Sequence, residues 1–276
     1  MGKALLMTAP SETEPAAASA ASPESPAGRK AGPLAPYLPG RREAIFMIGG
    51  GVLGAALGGG GAAYANRTTA APGRDDEEAV AEREGRELLE AGNARYVAGA
   101  AIHPDQSVDR RDSVLETQVP FAAILSCADS RVPPEVIFDQ GLGDLFVVRS
   151  AGQVIDHAVL GSLQYGVQQL KTPLLVVLGH SDCGAVQATI EAIDKKSKPT
   201  GTDIDALVTA IRPAVVEAKQ TGADKTNLLS VSIDINVERI VEHLKTVAIL
   251  REASTLRKVK IIGAVYSLET GQVNWL

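Results

Sequence analysis

Cysteine is nearly absent from this chain, which carries two in 276 residues, at positions 127 and 183. So few exclude the multi-bridge framework on which small secreted scaffolds depend, and an ordinary apolar core has to hold the fold. Aromatic residues are scarce as well, at 4% with a single tryptophan, and no run interleaves them with basic residues. That removes the stacking platform of a single-strand nucleic-acid binder. Positive charge is in deficit too. The formal net charge is −6, and after Ala65 there are 22 Lys plus Arg against 29 Asp plus Glu. With no basic stripe to meet phosphates, nucleic acid is not an expected partner.

Bulky apolar residues are few up to Gly40, where Ala, Pro, Ser and Glu dominate. Such a segment cannot bury enough surface to offset its ordering entropy, so residues 1–40 read as a disordered extension. Arg41-Arg42 then stands before an uncharged, Gly- and Ala-rich stretch from Ala44 to Ala65 that ends Ala63-Tyr64-Ala65-Asn66. Paired arginines, a weakly apolar core and a small-x-small end resemble a twin-arginine secretory signal over 41–65, cleaved after Ala65, and imply export. The alternatives are a retained membrane anchor over 44–65, since its length is close to the ~20 residues needed to span, and a cytoplasmic product with a floppy tail. Residues 66–74 read as a linker and 75–276 as the folded domain.

In that domain apolar runs alternate with helical patterns. A helix with acidic residues in its first turn is expected over Asp75–Val97, amphipathic through Val80, Leu88, Leu89, Tyr96 and Val97. Strands follow at Phe121–Ser126, Leu145–Arg149, Leu174–Gly179, Lys260–Ser267 and Gln272–Trp275. Helices are expected from Pro134, from Asp156 to Leu170 with Asp156 as N-cap, from Gly184, over Asp203–Lys219 with an interruption at Pro213, and over Leu228–Leu250. The fold class is α/β, a mainly parallel central sheet with an antiparallel edge strand, flanked by helices.

Both cysteines directly follow buried-strand patterns, in Cys127-Ala128-Asp129-Ser130-Arg131 and His180-Ser181-Asp182-Cys183. Zinc takes thiolate and imidazole ligands, and a catalytic site fills three positions from the protein and leaves one open. Cys127, His180 and Cys183 supply three, from strand ends where ligands gather in open α/β sheets. A disulfide between Cys127 and Cys183 is the alternative, and it would leave His180 without a role. The other histidines, His103, His157 and His243, fit ordinary surface or packing roles.

The two motifs resemble those of the β-class carbonic anhydrases, which carry CxDSR after the first core strand and HxxCG after a later one. Phe138-Asp139-Gln140-Gly141 and Asp144 to Gly152 are also similar to family segments in order and spacing. The stretch from Ile137 to Gly184 looks most like actinobacterial members, and the resemblance runs from about Glu84 to the C-terminus. It implies zinc-dependent reversible hydration of carbon dioxide to bicarbonate and a proton through zinc-bound hydroxide. Hydrolysis of carbonyl sulfide or carbon disulfide, or a non-catalytic zinc or bicarbonate-binding module, are the alternatives on the same scaffold.

Within this reading Asp129 orients the nucleophile, and Arg131 pairs with Asp129 through two parallel hydrogen bonds and holds it off the metal. The resemblance adds Gln140, whose amide would bind a substrate oxygen from the neighbouring subunit, and Gly184, whose N–H would point into the pocket. It therefore implies a homodimer or homotetramer, with the first helix wrapping over a neighbouring subunit. A bicarbonate-binding Trp, Arg and Tyr trio of some members is matched by Arg149 and Tyr266, but Ile124 stands where the tryptophan would be.

Overall fold

The computed structural model describes residues 74–276, with side chains from residue 83 onward. The expected extension, signal or anchor, and linker lie outside the described residues, save Arg74, which already belongs to the first helix. In chain order the elements are α1 (Arg74–Val97), α2 (Val108–Ser113), β1 (Ala122–Cys127), α3 (Pro134–Ile137), β2 (Leu145–Ser150), α4 (His157–Gln168), β3 (Leu174–His180), α5 (Gly184–Asp194), α6 (Ile204–Gln220), α7 (Leu228–Thr246), α8 (Ala248–Thr255), β4 (Lys260–Tyr266) and β5 (Val273–Trp275). A short 3₁₀ turn, Ala151–Gln153, follows β2. No described helix is long and apolar enough to cross a membrane.

The strands pair in the order β2-β1-β3-β4-β5, with β5 alone antiparallel. Every residue of β1 and β3 is buried, which is why both read as unbroken apolar runs: a central parallel strand is covered on both faces. On one face Ala123, Leu125, Leu175 and Val177 pack with Leu163 and Val167 of α4 and Val237, Val241 and Leu244 of α7. On the other, Ala122, Ile124, Leu174, Val176 and Leu178 pack with Leu89 of α1 and with Ile137 and Phe138. After β1 the chain places β2 to one side, and β3 then returns to the other. The carboxyl ends of β1 and β3 thus flank the point where strand order reverses, the usual place for a site in an open α/β sheet.

Several elements depart from expectation. Pro213 does not interrupt α6, which runs through it. Ile211, Ala214, Val215 and Ala218 are buried on both sides of the proline, and that packing outweighs the one missing backbone hydrogen bond. The single helix expected over Leu228–Leu250 is two, separated at Val247, which leaves the helical region at ψ 121°. The turn brings Leu250 into the cluster that holds Val241 and Leu244. The short α2, capped by the Ser107 hydroxyl accepting from Arg110 N–H, lies in what reads as a polar loop. In α1 the apolar stripe is thin: Leu89 is fully buried, while Leu88 and Val97 are exposed.

The helix α1 is fixed by specific contacts rather than by area. A Cβ on Gly92 would fall 1.7 Å from the Phe138 carbonyl oxygen, so only glycine permits this approach. Asn93 donates to the Ile137 and Gly271 carbonyls and accepts from Val273 N–H. Arg95 donates from Nε to the buried Asp139 carboxylate at 2.6 Å, and the Ile102 and His103 N–H groups complete its shell. Burial pushes the Asp139 pKa up, but Arg95 and the two N–H groups outweigh it and leave it lowered. A depressed folded-state pKa gives stability that is present above the unfolded value and lost as pH falls through the folded one. Arg95→Met is expected to cost about 1.5–3 kcal/mol at neutral pH. It should also flatten the loss of stability on acidification, both read by urea unfolding at a series of pH values.

Candidate metal centre

Cys127 is the last residue of β1, His180 the last of β3, and Cys183 the N-cap of α5. Their ligand atoms lie within 4.8 Å of one another, and all three side chains are buried. Both cysteines are free, so no disulfide joins them. The sulfurs sit in an apolar cluster built by α5, α6 and α7, with Val186, Ile211, Ala214 and Ile233.

Two charged sulfurs cannot share such a place without a cation. The Cys183 thiol, as hydrogen-bond donor, holds Cys127 down at about 4 against the opposing effect of burial, with help from His180 and the Gly152 N–H. Cys183 is pushed up by the same contact with Cys127 and by burial, against the pull of the Val186 and Ala185 N–H groups. The closeness of the two sulfurs thus pushes their ionisation in opposite directions, a conflict that a bound cation would relieve.

His180 is prepared in the same sense. Its Nδ1–H donates to the Ser181 carbonyl at 2.8 Å, which fixes the tautomer and turns Nε2 toward the sulfurs. That Nε2 is fully buried and has no hydrogen-bond partner. An orphaned imidazole nitrogen beside two thiols fits the tetrahedral N/S set of zinc, with three protein ligands and one position left over.

Asp129 stands beside this cluster, its Oδ2 3.9 Å from His180 Nε2. Arg131 grips it through Nε to Oδ1 at 3.0 Å and Nη2 to Oδ2 at 2.8 Å, and the Arg131 N–H adds a third bond at 2.9 Å. This pairing holds the Asp129 carboxyl well below the usual carboxylate range. Arg149 donates to the carbonyls of Cys127 and Asp129, at 3.0 and 2.6 Å, and so clamps the backbone that carries both side chains.

The remaining expected residues are placed differently. Gly184 opens α5, is exposed, and has no atom within 4 Å of where a Cβ would stand. Gln140 is buried, and its amide nitrogen donates to the Phe138 carbonyl at 2.8 Å and the Leu88 carbonyl at 3.4 Å, away from the cluster. His103, His157 and His243 are exposed. Of the trio, Tyr266 pairs with the Tyr96 hydroxyl at 3.2 Å, Arg149 is taken by backbone, and Ile124 is fully buried. Sequence reasoning missed Gly152, whose N–H donates to Cys127 Sγ at 3.3 Å. A glycine closing the Ser150-Ala151-Gly152 segment was visible, but its left-handed φ of 64° was not.

Residues 122–273, more than half of the chain, match the family model described as carbonic anhydrase. The carbonic anhydrase of Mycolicibacterium smegmatis is 42% identical over 185 residues, covering 67% of this chain and 88% of its own length. Among solved structures, the Coccomyxa β-carbonic anhydrase in complex with acetazolamide aligns with TM-score 0.54 at 25% identity, over 72% of this chain and 84% of that one. One from Sordaria macrospora, described as a tetrameric β-carbonic anhydrase, aligns with TM-score 0.55 at 22% identity over 71% of this chain and 98% of that one, a likeness of fold.

Proposed function

This chain belongs to the β-class carbonic anhydrase family, whose zinc-dependent reversible hydration of carbon dioxide to bicarbonate and a proton it carries out, and we propose that Asp129 and Arg131 orient the attacking oxygen. The observation that carries this reading is the Asp129 carboxylate, 3.9 Å from His180 Nε2 and locked by three hydrogen bonds from Arg131. Cys127, His180 and Cys183 would hold the zinc. Bound there, it supplies the Lewis acidity that makes water a nucleophile near neutral pH.

The protein's own groups do the rest. With Arg131 occupying both carboxylate oxygens in the plane, Asp129 stays ionised and keeps a spare lone pair to accept the O–H of the attacking water. Its donor is thereby turned with a free lone pair toward the carbon. Arg131 also keeps Asp129 from becoming a fourth ligand. Gly184 N–H, at the start of α5, is a donor for a substrate oxygen, in a place where the helix dipole favours developing negative charge. Stopped-flow hydration with purified zinc-loaded protein tests the assignment. Turnover of carbonyl sulfide with none of carbon dioxide would replace it by the hydrolase reading.

Assembly belongs to the same proposal. The Gln140 amide nitrogen donates to the Phe138 and Leu88 carbonyls of its own chain, and the family resemblance is what supports its reaching a substrate in a second copy. Among the described residues no strand pairs with the outer edge of β2, and such edges invite pairing. A homodimer is the smallest assembly that serves, and sedimentation at assay concentration checks it. The export reading is carried by Arg41-Arg42 and the Ala63-Tyr64-Ala65 end. Replacing both arginines by lysine should strand the precursor in the cytoplasm, and the mature N-terminus should be Asn66. Unchanged distribution of the lysine variant would leave only the enzyme.

A further inference from the structure

The Gly152 N–H that reaches Cys127 Sγ belongs to a turn that is held in an unfavourable shape. Gly152 and Gln153 have consecutive left-handed φ values, 64° and 55°, which is costly at Gln153 and persists only where surrounding contacts impose it. Two contacts do so. Gln153 Nε2 donates to the Leu178 carbonyl at 2.8 Å, two residues before the ligand His180 on β3. Asn236 Nδ2, reaching from the middle of α7 across 84 sequence positions, donates to the Gly152 carbonyl at 3.1 Å. Asn236 is itself buried, on a helix face that is apolar apart from it and Ser232. A buried amide in that position is expensive unless its hydrogen bonds serve something. The turn has no room to shift: a Cβ on Gly152 would fall 2.6 Å from Ile211 Cδ1 and 3.1 Å from Ala185 Cβ.

We propose that Asn236 is a positioning residue of the metal centre, acting through Gly152 to aim the N–H that donates to the Cys127 sulfur. A hydrogen bond to a thiolate stabilises the sulfur lone pairs and reduces their donation to a bound metal. It also fixes the sulfur's direction. Asn236 thus sets both the electron richness of the zinc site and the geometry of one of its ligands, without touching metal or substrate. Partners of ligands that act in this way are commonly worth 10–100-fold in metal affinity. The inference rests on the zinc reading above.

The test uses the full chain with cobalt(II) in place of zinc, because thiolate-to-cobalt charge transfer reports the sulfur directly. Asn236→Leu and the less demanding Asn236→Ala should both move that band to lower energy and, because lost aim of the ligand outweighs the sulfur's greater donation, weaken zinc ~10- to 100-fold in chelator competition. Asn236→Gln, which keeps an amide donor, should restore part of both. Folded Leu and Ala variants with an unmoved band and unchanged zinc affinity overturn the inference, since loss of packing alone lowers the melting temperature and leaves the sulfur spectrum in place. If the Leu variant does not fold, the Ala variant decides. Wild-type protein that shows no thiolate-to-cobalt band would defeat the zinc reading itself, a separate failure.

Discussion

Asp129→Asn is expected to lower kcat/KM for carbon dioxide hydration by about 10²–10⁴-fold while zinc content stays at the wild-type level. The substitution keeps the shape and removes the one property the site uses. A carboxylate can only accept, so it selects the orientation in which the attacking oxygen donates its proton to Asp129 and presents a lone pair to carbon. An amide offers a donor at the same place and turns the oxygen the other way. The bidentate grip of Arg131 would also be reduced to a single acceptor. Arg131→Ala should act by a different route. The freed carboxylate, already 3.9 Å from His180 Nε2, then competes for the open metal position, and activity falls with a more populated four-ligand centre. Near-native turnover in Asp129→Asn would remove Asp129 from the mechanism.

The second large effect is expected at the ligands. Cys127→Ser should lose most of its zinc and reduce hydration to background, because serine does not ionise near neutral pH and is a poor partner for zinc. Stability should follow. Binding to the folded state alone adds RT ln(1 + [L]/Kd), so a chelator should lower the melting temperature of the wild type by several degrees and leave Cys127→Ser unmoved. A chelator-induced shift of equal size in both proteins would mean that the stabilising metal sits elsewhere.

The strands that carry the ligands were legible because their burial is complete. An unbroken apolar run such as Leu174–Leu178 has few alternatives to a central strand, and it ends in His180 where the sheet ends. The N-cap at Asp156 was equally legible, since its side chain accepts from Val159 N–H as the local pattern demands. What the sequence did not show depends on distant partners. Pro213 reads as a break because the local rule knows nothing of the buried side chains on either side of it. Val247 carries no turn signature, and its departure from helix follows from where Leu250 has to go. Gly152 and Asn236 carry no chemical motif at all, and their meaning lies in a hydrogen-bond chain from α7 to a sulfur on β1. Gln140 was named from a motif, and its amide nitrogen is found bonded to the Phe138 and Leu88 carbonyls of its own chain, contacts that no local pattern announces.

The most direct measurement is metal analysis with zinc K-edge X-ray absorption on protein purified without added metal, from Asn66 onward. One zinc per chain is expected, with two sulfur neighbours at ~2.3 Å, one nitrogen neighbour at ~2.0 Å and one further light-atom neighbour. Protein that hydrates carbon dioxide while holding no zinc, or whose Cys127 and Cys183 are joined as a disulfide, would contradict the assignment of this centre.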